Sequence, residues 1–312
     1  MSKLMAMFPG QGSQYVGMGK ELVQEFPKSG RIFEEAEDAT GVKLRALCFE
    51  GPESDLILTA NTQPCILAHS VALWTVLKEE TDINPQGFAG HSLGEYSALV
   101  AAGVLDLAVA ANLVRKRGEA MQTAVAPGVG AMAAIINADQ GELEGVCAQQ
   151  SGQGHIVEPV NYNSPQQIVI AGHDKSVKKV CEIMEEKGVK CVLLQVSAPF
   201  HSSLMSPARD AMSPLLTAAK YKAPTAPFFP NLTGEAVTTY EAKYLVDQID
   251  HAVRWTQTMA SAADNGYENF IEVGPGKVLF GLGRRSLPKG SGLIVGEKIH
   301  DAIKKVHELP NK

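Results

Sequence analysis

The sequence predicts an α/β fold in which helices cover a mostly parallel sheet. Over the first 126 residues, short buried strand patterns alternate with helical patterns, as in sheets whose parallel strands are joined by helices. A serine flanked by glycines, Gly90-His91-Ser92-Leu93-Gly94, follows one of these strands with the spacing of a sharp strand-to-helix turn. A second pattern, β-α-β-β-α-β, begins after residues 126–128 and is typical of a compact inserted unit.

The elements of the first region follow from hydrophobic periodicity. Residues 3–8 form an apolar run that ends at Pro9, which predicts a short buried strand. Apolar side chains at helical spacing predict a long helix from Pro64 to about residue 80. The other elements predicted in this region are helices over residues 17–26, 29–39, 94–101 and 106–124 and a strand over residues 86–90.

The pattern changes at Ala126-Pro127-Gly128, where turn residues separate two periodic regions. Strands are predicted over residues 130–136, 155–162, 167–171 and 190–196, with helices over residues 139–150 and 176–187. This order is that of a ferredoxin-like unit. The main region then resumes with helices over residues 203–219, 252–265 and 298–307 and a strand over residues 268–273. We therefore expect one subdomain of residues 1–126 and 198–312 and a smaller, ferredoxin-like subdomain of residues 127–197.

Composition and charge narrow the class of function. The chain has 312 residues, is 45% hydrophobic and 20% charged, and carries a formal net charge of −6, which argues against a nucleic-acid partner. No apolar run approaches the roughly 18–20 residues that span a bilayer. The apolar run near the N-terminus is too short for a signal-peptide core, so we expect a cytoplasmic protein with no membrane partner. The five cysteines are scattered without metal-ligand spacing, and we expect them to be reduced and no metal to be bound.

Ser92 is the leading candidate for a nucleophile. Glycines two residues before and after it avoid clashes in so tight a turn, and the following helix N-terminus presents backbone N–H groups to a developing negative charge. A serine hydroxyl needs a base. Among the histidines, His201 is favoured, because it lies downstream of the serine where the chain returns from the inserted unit. No carboxylate stands out as the third member: Asp210 and Asp250 are candidates, and a main-chain carbonyl would also serve.

Two further segments carry candidate ligand contacts. Val114-Arg115-Lys116-Arg117 is either a solvated helix face or the source of one inward arginine that binds a substrate carboxylate, and the pattern does not distinguish these interpretations. Gly10-Gln11-Gly12-Ser13-Gln14 follows the first strand. It is not a dinucleotide fingerprint, because Tyr15 stands where the third glycine belongs. It is either a turn that directs an N–H toward Ser92 or a plain strand-end turn.

Taken together, these segments resemble the malonyl-CoA:acyl carrier protein transacylases in their free-standing bacterial form. They appear in the family's order and span nearly the whole chain. The matching segments are Phe8-Pro9-Gly10-Gln11-Gly12-Ser13-Gln14, Asn61-Thr62-Gln63-Pro64, Gly90-His91-Ser92-Leu93-Gly94-Glu95-Tyr96, Arg117-Gly118-Glu119-Ala120-Met121, Asn161-Tyr162-Asn163-Ser164-Pro165, Pro199-Phe200-His201-Ser202 and Glu272-Val273-Gly274-Pro275-Gly276-Lys277-Val278-Leu279.

The resemblance implies an α/β-hydrolase-like core with a parallel sheet and an inserted ferredoxin-like subdomain. It also implies the catalytic groups. Ser92 would be the acylated nucleophile and His201 its base, oriented by the main-chain carbonyl of Gln248. The backbone N–H groups of Gln11 and Leu93 would form the oxyanion hole.

Four further positions match substrate-binding or pocket positions of the family. Arg117 would bind the malonyl carboxylate, Met121 would line the pocket and Asn163 would lie near the site. Phe200 would crowd a substituent at malonyl C2 and so disfavour methylmalonyl. The chain has Ala198-Pro199-Phe200-His201 here, whereas malonyl-specific domains of modular synthases have His-Ala-Phe-His, and this difference weakens the expectation.

The implied reaction moves a malonyl group from malonyl-CoA to the phosphopantetheine thiol of acyl carrier protein through a malonyl-serine intermediate. The coenzyme A thioester is a substrate, and no cofactor is expected. The expected partners are malonyl-CoA and acyl carrier protein, and the expected state is a monomer. Three alternatives stay open: a serine thioesterase or hydrolase, an acyltransferase that serves polyketide rather than fatty acid synthesis, and a non-catalytic carrier-binding module.

Overall fold

The computed structural model describes residues 3–152, 154–196 and 198–309. Its strands are β1 (Lys3–Phe8), β2 (Gly87–Gly90), β3 (Gly130–Ile136), β4 (Val157–Ser164), β5 (Gln167–His173), β6 (Lys190–Leu193), β7 (Phe228–Phe229), β8 (Tyr267–Glu272) and β9 (Gly292–Val295). Its α-helices are α1 (Lys20–Glu25), α2 (Gly30–Thr40), α3 (Leu44–Glu50), α4 (Glu53–Leu56), α5 (Thr59–Glu80), α6 (Gly94–Ala101), α7 (Leu107–Thr123), α8 (Gln140–Gln150), α9 (Asp174–Glu186), α10 (Ser206–Ala218), α11 (Ala242–Gln248), α12 (Trp255–Asp264), α13 (Val278–Ser286) and α14 (Ile299–His307).

The first sheet is parallel, as predicted, with strands in the order β7-β2-β1-β8-β9. The central strand β1 pairs Met5 with Gly87 on one side and with Phe270 on the other. Alternate residues of β1 enter different cores: Leu4 and its even-numbered neighbours face a core shared with α5 and α7, whereas Met5 faces α12 and α13. Helices therefore cover both faces of this sheet. Because its strands are parallel, their carboxyl ends lie at the same edge.

The second sheet is antiparallel, with strands in the order β4-β5-β3-β6. One face packs on α8 and α9, where Leu143 and Met184 are fully buried. The opposite face, which includes Met132 and Val169, joins the core of the first sheet. A cleft between the two sheets is thus bounded by strand residues on one side and by the end of β2 on the other.

Helix α5 begins earlier than predicted. The expected start at Pro64 is wrong, because the helix starts at Thr59 and holds Pro64 in its interior. A proline there cannot donate to the carbonyl four residues before it, which would leave the Ala60 oxygen unpaired. The guanidinium of Arg115 donates to that oxygen at 3.0 Å, so the helix tolerates the proline.

Other boundaries also differ from prediction. Helix α1 begins at Lys20 instead of residue 17, because Gly17 and Gly19 have φ values of 105° and 80° and cannot be helical. Strand β6 ends at Leu193, and β4 runs to Ser164 instead of residue 162. No element was predicted from the sequence at α3, α4, α11, α13, β7 or β9. Within the described residues, the helices lack the combination of length and hydropathy needed to cross a membrane.

Candidate active site

Ser92 lies in the sharp turn between β2 and α6, as the flanking glycines predict. A Cβ atom on Gly90 would lie 2.0 Å from the Gly94 oxygen, and one on Gly94 would lie 2.0 Å from the Phe8 oxygen. Neither position tolerates a side chain. Ser92 itself has a φ of 52°, in the left-handed region that non-glycine residues rarely adopt. The turn therefore projects the Ser92 side chain at the edge of the sheet.

Two distant side chains hold the strained backbone of Ser92. Its N–H donates to Oδ1 of Asn231 at 2.6 Å, and its carbonyl accepts from Nε2 of Gln248 at 3.0 Å. Asn231 also donates from Nδ2 to the Gly90 oxygen at 2.6 Å. Side chains thus bind both the N–H and the carbonyl of Ser92. These hydrogen bonds stabilise a backbone conformation that would otherwise be unfavourable.

His201 lies beside Ser92, with 2.7 Å between its Nε2 and the serine Oγ. Its other nitrogen, Nδ1, is 2.7 Å from the main-chain oxygen of Gln248. Because a carbonyl can only accept, Nδ1 carries the hydrogen, and the neutral ring presents a lone pair at Nε2 to the serine hydroxyl. Burial, aided by the nearby charge of Arg117, lowers the pKa of His201 to about 3, so the ring is neutral at neutral pH.

The group that follows Ser92 and His201 in this series of contacts is the main-chain carbonyl of Gln248 and not a carboxylate. Asp250 binds Arg209 at 2.9 Å and His251 at 2.8 Å, and Asp210 is exposed beside Arg209 at 3.6 Å. Neither aspartate has a contact with His201 among the described residues. Of these three candidates, the Gln248 oxygen is the one that contacts His201 Nδ1 within the described residues.

Arg117 is the inward arginine of its segment and is only 1% exposed. Its Nη1 donates to Oε1 of Gln63 at 2.8 Å, and its Nη2 donates to Oε1 of Gln248 at 2.9 Å and to Ser92 Oγ at 3.2 Å. Within the described part of the chain it has no carboxylate at ion-pair distance, and its Nε is buried without a partner. Burial lowers the pKa of its guanidinium. An unpaired buried guanidinium beside a nucleophile is a strong attractor for a carboxylate.

The neighbouring Arg115 has a structural role instead. It pairs with Glu119 at 2.8 Å and binds the carbonyl of Ala60. The two arginines differ by two positions on one helix, so they face different surroundings although the sequence pattern treats them alike.

A cavity of about 540 Å³ opens in front of these groups. It is lined by eight of the nine residues singled out from the sequence, namely Gln11, Ser92, Leu93, Arg117, Met121, Asn163, Phe200 and His201. Gln248 is the exception, since it lies behind Ser92 and His201 and is buried. A larger cavity, of about 690 Å³, lies between α1, α5 and the start of α14 and contains none of these nine residues. The chemistry of the side chains, and not cavity size, therefore marks the candidate site.

The remaining residues singled out from the sequence form the walls of this cavity. Oδ1 of Asn163 accepts from Nε2 of His91 at 2.7 Å, which anchors the residue next to the serine. Met121 and Phe200 are almost completely buried, and the Met121 sulfur accepts from Nε2 of Gln63 at 3.8 Å. The backbone N–H groups of Gln11 and Leu93 have no hydrogen-bond partner among the described residues.

Sequence reasoning missed the residues that support the site from behind. Gln63 appears in a motif with no role attached to it, although it holds Arg117. Asn231 contacts the serine turn from a segment that lies far away in the chain, and no local pattern marks it. Glu95 stands inside the serine motif, but the motif gives it no role. Among the described residues there is no group of three or more His, Cys, Asp or Glu side chains that could hold a metal ion.

Fold and site together define an α/β enzyme of the serine acyl-transfer class, with a turn-borne serine, a neutral histidine and a buried arginine at one cavity. The chain belongs to the family described as "Acyl transferase domain", whose sequence profile matches residues 6–307.

Several malonyl transacylases are similar to this chain over most of its length. The malonyl CoA-acyl carrier protein transacylase of Bacillus subtilis is 44% identical over 285 residues, which cover 90% of each chain. The crystal structure of malonyl-CoA:acyl carrier protein transacylase from Xanthomonas oryzae is 40% identical, with a TM-score of 0.94, and the match covers 99% of this chain and 98% of that chain. A malonyl-transacylase in complex with a type II PKS acyl-carrier protein is 40% identical, with a TM-score of 0.93 and coverage of 99% and 100%.

Proposed function

We propose that this chain transfers the malonyl group of malonyl-CoA to the phosphopantetheine thiol of an acyl carrier protein, through a malonyl ester of Ser92. The observation that carries the proposal is that Ser92 Oγ contacts both His201 Nε2 and Arg117 Nη2. A base and a carboxylate-binding group that meet at one nucleophile suit an acyl group that ends in a carboxylate. The printed names of the relatives support the same donor and acceptor.

In the first half-reaction, Ser92 Oγ attacks the thioester carbonyl carbon while His201 Nε2 takes the hydroxyl proton. A C–O bond forms, and the carbonyl π electrons move to oxygen. When the tetrahedral intermediate collapses, the C–S bond breaks and coenzyme A leaves with the proton from His201. The short contacts on both sides of the imidazole support this role, because they fix the tautomer that can accept a proton at Nε2.

The oxyanion of this intermediate is held by the backbone N–H groups of Gln11 and Leu93. Both groups border the cavity and have no other partner among the described residues, whereas the N–H of Ser92 is taken by Asn231. Loss of one such donor typically costs about 2.7–4 kcal/mol of transition-state stabilisation.

The second half-reaction reverses the first with another thiol. The carrier's phosphopantetheine sulfur attacks the malonyl ester, His201 removes the thiol proton and then returns it to Ser92 Oγ as the C–O bond breaks. Acceptor and donor thus use one site in turn, which gives ping-pong kinetics. The thioester is the substrate, and the proposal needs no further cofactor.

Arg117 selects the donor by binding the malonyl carboxylate. Its two terminal nitrogens now bind Gln63, Gln248 and Ser92, and the carboxylate replaces the Ser92 contact when the acyl group enters. Met121 and Phe200 confine the acyl chain, so methylmalonyl-CoA is a poorer donor than malonyl-CoA. Asn163 accepts a hydrogen bond from His91, the residue before Ser92, and so stabilises the serine turn.

The architecture is consistent with two subdomains that both contribute residues to this site. We infer an α/β-hydrolase-like core of residues 1–126 and 198–312 and a ferredoxin-like subdomain of residues 127–197. The order β-α-β-β-α-β and the antiparallel sheet β4-β5-β3-β6 support the smaller unit, and the parallel sheet with its serine turn supports the larger one. The monomeric state and the cytoplasmic location stay predictions.

Two alternative functions differ only in the acceptor. A hydrolase would pass the malonyl group to water, and Arg117 does not discriminate against this outcome once the ester has formed. A polyketide acyltransferase would pass it to a different carrier. The similarity to a transacylase in complex with a type II PKS acyl-carrier protein supports this alternative.

The test is to mix the chain with malonyl-CoA and a carrier protein that bears phosphopantetheine, and to quantify malonyl-carrier, coenzyme A and free malonate by mass spectrometry. We expect malonyl-carrier to equal the coenzyme A released, and Ser92→Ala to form neither. Free malonate in place of malonyl-carrier would make the protein a hydrolase. Carriers of fatty acid and polyketide synthesis, compared in the same assay, separate the two pathways.

A further inference from the structure

Glu95 is a fully buried carboxylate one turn after Ser92 on helix α6. It is not among the residues that line the cavity, so it lies behind the nucleophile and not in front of it. A buried carboxylate is costly unless donors surround it. Glu95 takes no direct part in the proposed acyl transfer, although donors surround it.

Three donors converge on this carboxylate. Tyr240 OH lies 2.5 Å from Oε1, while Nε2 of Gln248 and the backbone N–H of Asn231 lie 2.7 Å and 3.1 Å from Oε2. The ionised carboxylate accepts all three bonds, whereas a proton on Oε2 would face two N–H donors and a proton on Oε1 would require the Tyr240 hydroxyl to turn and accept. The surroundings are therefore arranged for the charged form.

The bond to Gln248 determines which way that amide points. Its Nε2 donates to Glu95, and its Oε1 on the other side accepts from Nη2 of Arg117 at 2.9 Å. If the amide were reversed, its NH₂ group would face the guanidinium, and two donors would meet. Glu95 thus selects the orientation in which Gln248 can hold Arg117.

Gln248 also holds the base. Its main-chain oxygen accepts from Nδ1 of His201 at 2.7 Å, so one residue fixes both the imidazole and the guanidinium on either side of Ser92 Oγ. Asn231, the third partner of Glu95, binds the N–H of Ser92 through its side chain. The contacts of Glu95 therefore lead to each of the groups that meet at the serine oxygen.

We propose that Glu95 is a positioning residue for acyl transfer, which orients the Gln248 side-chain amide and through it keeps Arg117 in position beside Ser92. The inference rests on the proposed function, because it assumes that Arg117 and His201 act on a malonyl group at this serine.

The ionisation of Glu95 gives this role a readout that a purely structural role lacks. Burial raises the pKa of Glu95 to about 7, although Tyr240, Gln248, Asn231 and the charge of Arg117 lower it. The titratable and charged groups that face it are Arg117, Tyr96 and Tyr240, and burial raises the pKa values of both tyrosines. Glu95 is therefore the group in this cluster that changes charge near neutral pH.

The experiment compares kcat/KM for malonyl-CoA as a function of pH in the wild type, in Glu95→Gln and in Tyr240→Phe. In the wild type, we expect activity to fall as pH drops through about 7, because protonation weakens the acceptor that orients Gln248. Glu95→Gln keeps an oxygen that can accept from Gln248 but cannot titrate, so this acid limb disappears. Tyr240→Phe removes a donor that lowers the pKa of Glu95, so the limb moves to higher pH. The ionisations of the substrate are common to all three enzymes.

Glu95→Ala removes the acceptor altogether. We expect kcat/KM for malonyl-CoA to fall about 10–100-fold, the effect of a lost hydrogen bond to a charged group, with Glu95→Gln restoring most of it. If the alanine variant does not fold, the pH profiles of Glu95→Gln and Tyr240→Phe test the proposal without it. An acid limb that is the same in Glu95→Gln as in the wild type would overturn the proposal. If the wild type forms no malonyl adduct, the proposed function itself fails; a wild-type adduct with unaffected Glu95 variants overturns only the role of Glu95.

Discussion

The main-chain oxygen of Gln248 lies 2.7 Å from Nδ1 of His201, at the position where many serine enzymes place a carboxylate. A carbonyl orients the imidazole and fixes its tautomer without adding a negative charge. The charge that most affects this histidine is instead the positive one of Arg117, which acts with burial to lower the pKa of His201.

This arrangement separates the two functions of Gln248. In Gln248→Ala, the carbonyl that orients His201 is kept, whereas the amide that holds Arg117 is lost. We expect a fall of about 10–100-fold in kcat/KM, expressed mainly as a higher KM for malonyl-CoA. His201→Ala removes the base and lowers kcat by about 10²–10⁴-fold. Steady-state kinetics on both variants test this difference, and equal losses of kcat would contradict it.

We expect Arg117 to determine the choice of acyl donor. Arg117→Met keeps the bulk of the side chain without the charge, and we expect malonyl transfer to lose roughly 2–5 kcal/mol of transition-state stabilisation. Acetyl transfer should rise relative to malonyl transfer, because no buried guanidinium is then left unpaired. Arg117→Lys is the matched control, since it keeps the charge but not the two-nitrogen fork. Competition between the two donors measures the ratio; a ratio unchanged in Arg117→Met would refute the assignment.

The same substitution should alter the histidine. Because the Arg117 charge disfavours the imidazolium, Arg117→Met raises the pKa of His201 above its value of about 3 in the free enzyme. The base is neutral above its pKa, so the variant loses its neutral imidazole at a higher pH than the wild type. NMR titration of the His201 ring follows this shift directly. An unchanged or lower value would show that burial alone sets the pKa.

The glycines of the serine turn are required by space. Gly94→Ala places a Cβ atom 2.0 Å from the Phe8 oxygen, and we expect it to destabilise the fold by about 1–3 kcal/mol or more. Gly145 in helix α8 has no atom within 4 Å of an added Cβ, so Gly145→Ala is the matched control. It should stabilise the fold by about 0.5–1 kcal/mol. Chemical denaturation of both variants tests the contrast, and equal effects on unfolding would argue against a steric requirement at the turn.

The parts of the site that the sequence predicts are those with a local pattern. Ser92 is recognisable because glycines two residues away on each side are needed where backbones approach within van der Waals distance. Strand β1 and the second sheet follow from runs of apolar residues with clear turns between them. These features depend on neighbours in the chain, so spacing alone reveals them.

The parts that were missed depend on distant neighbours. Glu95 and Asn231 are bonded across 136 positions of the chain. Asn231 has no pattern around it, and the motif that contains Glu95 does not show which distant groups its carboxylate binds. Arg115 and Arg117 look alike in sequence, and only the packing of α7 directs Arg115 to the Ala60 carbonyl and Arg117 to Ser92 Oγ. Helix α13 was missed because it begins directly after Gly274-Pro275-Gly276-Lys277, which is typical of a loop.

The most direct test of the central claim is the intact mass of the protein after brief mixing with malonyl-CoA and no acceptor. We predict a single malonyl adduct on Ser92 that is absent in Ser92→Ala and disappears when a carrier protein with its phosphopantetheine arm is added, with the malonyl group recovered on the carrier. No adduct on the wild type, or an adduct that persists in Ser92→Ala, would contradict the account.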